Sequence, residues 1–213
     1  MPDSNREAIM EALTAEHLAM QAVITASVNE QQARASMYLL SVSGALVGVG
    51  IMAQTGEFLL FTGAIIPALY VMGLLTIMRL VDVGMESMQS EVTVAKIRRY
   101  YRSLGAPADV LFEEPLGRWP EGKLDSGHVI GEVLGLLTTA ASMIACVNGF
   151  IGGAGVALLL YHLVPASIAV SVLAGAVFVV AQVAIVFAYQ MWRINIVVRL
   201  AEDRSLIKEA GAG

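Results

Sequence analysis

Charge is missing from long parts of this chain. Residues 35–56, 58–78 and 133–192 contain no Asp, Glu, Lys or Arg, and charged residues make up only 15% of the 213 positions, while 57% are hydrophobic. A soluble domain carries about one-quarter charged residues, so an ordinary water-soluble globule is excluded. Cysteine is nearly absent: Cys146 is single, so it forms no internal disulfide, and in its apolar run it reads as a small hydrophobe. Dense Lys/Arg blocks are lacking and net charge is −5, which argues against nucleic acid as a partner. His17, His128 and His162 do not cluster, and there is no His-Glu-x-x-His, no Gly-x-Ser-x-Gly and no phosphate loop. Neither an enzyme, a metal site nor a cofactor is therefore expected.

What is there is hydrocarbon length. A spanning helix needs about 20 predominantly apolar residues, since the hydrocarbon layer is about 30 Å thick and each residue rises about 1.5 Å. The first two uncharged stretches fit one crossing each and meet at Gln54-Thr55-Gly56-Glu57, a connector short enough to demand an antiparallel hairpin. The third fits two crossings, with a break around Tyr161 to Ser167, where Pro165 suits the first turn of a new helix. The expected crossings are 36–54, 58–80, 134–161 and 166–192. The polar first thirty residues lack the pattern of a cleaved signal peptide, so the first crossing is expected to persist in the mature protein.

Four crossings put all 13 Lys and Arg on one side, and the two opposite connectors carry none. The positive-inside bias then assigns both termini and the 81–133 loop to the cytoplasm of a cell, or inner, membrane. The chain divides into a cytoplasmic helix 1–35 continuous with the first crossing, a transmembrane hairpin 36–80, a cytoplasmic helix and loop 81–133, a second hairpin 134–192 and a cytoplasmic helix or tail 193–213.

Ile9, Leu13, Met20, Ile24 and Val28 recur at helical spacing, and no Gly or Pro interrupts before Gly44, so one helix is expected to run from the cytoplasm into the first crossing. The second crossing is expected to run on through Ile97 and Tyr101 to a stop at Gly105-Ala106-Pro107, with Gly84 a candidate bend. Residues 107–127 read as a loop anchored by Trp119, and Trp192 beside Arg193 reads as a headgroup-level anchor. The fold class is all-α: an integral membrane protein of four transmembrane helices with long cytoplasmic extensions of the first two.

Small residues form stripes along the crossings: Gly44 and Gly48 with Ser41 in the first, Gly135, Gly149 and Gly153 in the third, Gly175 with Ser171 in the fourth. Such stripes let helices approach closely, within one subunit or between subunits. Asn148 and Gln182 are the amides inside the crossings. Asn148 is either an interhelical hydrogen-bonding residue or a pore-facing one. Thr62 and Thr76 are expected to return their hydroxyls to their own backbone. No ionisable group sits at bilayer depth, which argues against a pump or proton-coupled carrier. Glu57 is the only acid on the external side, with Gln54 near it and Arg34 at the inner end of the same helix. On an oligomer axis Glu57 would form a carboxylate ring favouring cations and Arg34 an opposite ring. Otherwise they are a helix-start residue and a topology anchor.

This layout resembles Orai-type calcium channels: four crossings, both termini inside, a cytoplasmic extension feeding the first helix and a helical continuation after the fourth. The resemblance implies a pore lined by the first helix, with Glu57 and Gln54 at the outer acidic position and Arg34 at the inner basic one. In this sequence Glu57 follows a glycine and a single Arg replaces a basic run. The hairpin with long cytoplasmic helices is also similar to SLATT-type membrane domains of bacterial conflict systems, which implies a pore-forming effector. The segment Glu16 to Arg102 looks like bacterial four-helix multispan proteins of no assigned activity. The expected function is an oligomeric ion channel or pore, cation-permeable if Glu57 forms the ring, with lipid bilayer, ions and further copies of itself as partners. The alternative is a non-conducting scaffold or sensor that recruits a cytoplasmic partner.

Overall fold

The computed structural model describes residues 3–105, 138–164 and 167–210, and these are all helical apart from the turns. Among the described residues four helices follow in chain order: α1 (Asp3–Met52), α2 (Phe58–Arg102), α3 (Ala140–Leu163) and α4 (Ile168–Ala210). Each is long and apolar enough to cross a membrane. Gly135, Trp119, Pro165 and the 107–127 segment lie outside the described residues.

α1 runs 50 residues unbroken. Its polar side chains do not compete with the helix, because Thr14, Thr25, Ser41 and Ser43 each donate to the carbonyl four residues back. The α1–α2 turn is tied by Thr55, whose amide and hydroxyl both donate to the Met52 carbonyl, at 2.9 and 2.8 Å. α2 is helical through Gly84 and also through Pro67, which removes one N–H and crowds the carbonyl of Gly63. It ends at Arg102, followed by Ser103 and Leu104 amides on the Tyr100 and Tyr101 carbonyls and by Gly105 at φ 139°, a left-handed position that favours glycine.

α3 starts at Ala140, and residues 134–137 of the expected crossing lie outside the described residues. Thr139 is its N-cap, extended at φ −67° and ψ 151°, with its hydroxyl accepting from the Ser142 amide at 3.3 Å. α4 begins behind Ser167, which accepts from the Val170 amide. It then continues through the end of the apolar stretch to Ala210, so α4 runs on beyond its uncharged stretch just as α1 and α2 run beyond theirs.

The chain forms two compact units. One comprises Gln31–Asp82 and Leu136–Trp192; its core holds Tyr38, Leu69, Ile77, Leu80, Val81, Ile144 and Val186. The other comprises Met1–Glu30, Val83–Gly135 and Arg193–Gly213, and its described part buries Ser27, Val83, Met85, Val94, Ile97 and Val197. The most apolar window of each helix is only 11% to 28% buried, leaving side chains such as Leu40 and Leu60 75% exposed.

Candidate functional site

Polar groups meet inside the apolar unit at two places, the first a junction of three helices. The Tyr38 hydroxyl on α1 donates to Asn148 Oδ1 on α3 at 2.9 Å, with the two residues 1% and 0% exposed. Gly73 of α2 completes the junction: a methyl group there would overlap Asn148 Oδ1 and the Tyr38 hydroxyl oxygen. Three helices thus converge on one hydrogen bond, and the missing side chain at 73 is what leaves room for it. Asn148 Nδ2 has no partner.

α3 and α4 pack backbone to backbone. A Cβ on Gly153 would meet the Gly175 carbonyl oxygen at 2.7 Å, and one on Gly175 would meet the Gly153 carbonyl oxygen at 2.6 Å. Gly149 faces Val179 one step further along. A polar cluster closes the same pair: Gln190 Nε2 donates to Ser142 Oγ at 3.0 Å, and the Thr139 hydroxyl lies 3.1 Å from both Ser142 Oγ and Gln190 Oε1. Contacts 142–190, 149–179 and 153–175 define an antiparallel register that sets Gln182 level with Asn148. Both Gln182 amide atoms are buried without a hydrogen-bond partner.

The residues singled out from sequence fall into three groups. Asn148 makes an interhelical hydrogen bond and, in the single chain, faces packing rather than an aqueous path. Gly149, Gly153 and Gly175 sit at the α3–α4 contact, and Gly48 faces the Phe61 ring of α2, 2.9 Å from a Cβ placed there. Gly44, by contrast, has nothing within 4 Å of such a Cβ. It lies with exposed Arg34, Met37 and Ser41 on an outward strip of α1. Gln54 and Glu57 are exposed in the α1–α2 turn, and the Glu57 carbonyl accepts from the Phe61 amide, so Glu57 caps the start of α2. The Glu57 end of α1 and the Arg34 position are therefore not brought together.

Sequence reasoning passed over Tyr38, Gly73, Thr139 and Gln190. A signal for Tyr38 existed: a fully apolar setting obliges an amide such as Asn148 to find a partner, and tyrosine is among the few residues here that supply one. The two threonines also part company. Thr76 donates to the Met72 carbonyl at 2.8 Å as expected, but buried Thr62 has no partner for its hydroxyl.

Thr62 belongs to a pocket of about 480 Å³ between α2 and α3, inside the same unit. Its wall is apolar, with Leu59, Ile66, Pro67 and Leu159 along it and His162 at one end. The other end is floored by Tyr70 and Phe178, whose rings lie 5.9 Å apart. Gly152 lets those two rings approach α3, since a Cβ there would meet them at 2.5 to 2.6 Å. Among the described residues no group of His, Cys, Asp and Glu is placed to hold a metal. No protein-family model matches the chain, and no curated protein or solved structure does either.

Proposed function

We propose that the chain is a multi-pass protein of a bacterial inner membrane, with both termini cytoplasmic, that self-associates through α1 into an ion-conducting pore. The membrane part is supported by the uncovered apolar surface: side chains such as Leu40, Leu60 and Val180, 70% to 75% exposed, cost about 25 cal/mol per Å² in water and nothing in hydrocarbon. The orientation is supported by Arg34 and Arg79 at one end of the first two uncharged stretches and the basic-free 53–57 turn at the other.

The observation that carries self-association is the contrast among glycines. Gly149, Gly153 and Gly175 spend their small size inside the chain, whereas Gly44 has open space before it on a strip with Met37 and Ser41. Small residues on a lipid-facing surface gain nothing unless another helix approaches. With α1 at the axis, Glu57 forms the outer carboxylate ring and Arg34 the inner one. Ser41 and Ser43 already satisfy their own hydroxyls, as a narrow, poorly hydrated lining requires.

Purified protein in liposomes tests this by single-channel recording. The expected result is discrete conductance with cation preference that falls in Glu57→Gln; an unchanged preference removes Glu57 from the filter. A second reading, a non-conducting scaffold, is favoured by exposed Leu18 and Val28 on the charged unit, which offer apolar contact to a cytoplasmic partner. It requires silence in the same recording and a monomer or dimer in detergent.

A further inference from the structure

The α2–α3 pocket differs from the rest of the uncovered apolar surface in three ways. It is concave and, at about 480 Å³, of the size that holds a ligand, where pockets run about 300–1,000 Å³. It contains an unpaired polar group: Thr62 is 4% exposed and its Oγ1 has no hydrogen-bond partner. It also has a direction. From Leu59 to Tyr70 on α2, and from Gly152 to Leu163 on α3, the lining spans about 17 Å at about 1.5 Å per residue. The His162 end lies beside the helix termini, and the Tyr70–Phe178 end is closed by aromatic rings.

We propose that this pocket holds one acyl chain of a membrane lipid, entering sideways from the bilayer, with its ester end at Thr62 and His162 and its terminal methyl against Tyr70 and Phe178. The inference rests on the membrane reading above and is independent of conduction. The 17 Å length matches one leaflet, about half of a hydrocarbon layer about 30 Å thick. The polar end falls where a leaflet's ester groups lie, at the termini of the helices. The Thr62 hydroxyl, buried and without a partner, is the donor for the ester carbonyl, and the His162 ring N–H is a second donor at the same end. Gly63, also in the lining, has nothing within 4 Å of an added Cβ, so a side chain there grows into the pocket without displacing the protein.

The full chain is reconstituted in phosphatidylethanolamine–phosphatidylglycerol vesicles containing a phospholipid with a diazirine at the end of one acyl chain, irradiated and mapped by peptide mass. Adducts are expected on Tyr70 and Phe178 several-fold above those on exposed Val172 and Val180. Gly63→Leu and, as a second block at an exposed lining position, Leu59→Trp reduce them at least fivefold, while Gly50→Leu, also in open space but outside the pocket, leaves them unchanged. Thr62→Val lowers them about two- to tenfold, the value of one hydrogen bond. Displacement by excess unlabelled phospholipid supports the site, whereas displacement by excess palmitate with none by phospholipid overturns the esterified chain as its occupant. Labelling spread evenly over the exposed positions, insensitivity to both blocking variants, or cross-links showing a second copy in the groove overturns it. Failure of the protein to float with the vesicles overturns the membrane reading and this site together; flotation without enriched labelling overturns the site alone.

Discussion

The two compact units bury different things. In the described part of the charged unit the buried side chains are mainly aliphatic: Val83 is 0% exposed, Val94 and Ile97 5%, and of the two buried serines, Ser27 and Ser90, the second turns its hydroxyl back to the Glu86 carbonyl. In the apolar unit the fully buried side chains include Tyr38 and Asn148 beside Ile144, and two helices touch through the backbone of Gly153 and Gly175. On the proposed membrane placement, water accounts for the first arrangement, because removing aliphatic surface from it stabilises by about 25 cal/mol per Å². On the same proposal, hydrocarbon accounts for the second. Where the surroundings are as apolar as leucine, burying leucine contributes little, and association relies on close packing and on hydrogen bonds between helices.

This contrast predicts opposite responses to opposite substitutions. The largest effect falls on the glycine contact. Gly153→Leu drives a side chain into the Gly175 carbonyl, which is backbone and cannot rotate away, so α3 and α4 must separate; a loss of about 3 kcal/mol or more, at the upper end of overpacking costs, is expected in detergent melting. An unchanged melting temperature would show that the helices are not in backbone contact. The converse change belongs to the charged unit. Ile97→Ala creates a cavity and is expected to cost about 2–4 kcal/mol there, read as faster amide exchange across residues 83–102. Protection that drops equally in residues 140–163 would merge the two units into one cooperative block.

At the polar junction Gly73→Ala is expected to cost about 1–3 kcal/mol, because the new methyl displaces the Asn148 amide from the Tyr38 hydroxyl. Tyr38→Phe alone removes the bond and costs about 1 kcal/mol, and combining it with Asn148→Leu recovers part of the second loss. Strict additivity of the pair in a double-mutant cycle would mean that the bond carries no coupling.

Much of this architecture is legible from charge alone. Apolar length and the absence of Asp, Glu, Lys and Arg locate four helices, because any charge at bilayer depth is costly. The helix ends are less legible where a polar cap falls inside an uncharged stretch: Thr139 lies within 133–192, where no charge marks a boundary, yet it caps α3 by accepting from the Ser142 amide. Glycine stripes announce close approach without naming the neighbour. Gly44 and Gly153 look alike in sequence, and only the fold separates an open strip from a backbone contact. The pocket was not legible at all, since it depends on Gly63, Pro67 and Gly152 lining one volume from two helices. Thr62 shows the same limit: its sequence setting is that of Thr76, but its hydroxyl is left without the backbone bond that Thr76 makes.

The smallest effect on the protomer separates packing within a chain from packing between chains. Gly44→Leu adds a side chain where nothing lies within 4 Å, and it replaces a poor helix former, so the single chain is expected to be unchanged or more stable by up to about 1 kcal/mol. The same substitution blocks the strip of Met37, Ser41 and Gly44 against a neighbouring helix. Its signature is therefore dissociation without destabilisation: a lower mass in light scattering at an unchanged melting temperature. The paired Gly153→Leu reverses the order, lowering the melting temperature first. A Gly44→Leu protein that keeps the wild-type mass would show that this strip faces lipid, and the small residues of α1 would lose their intermolecular role.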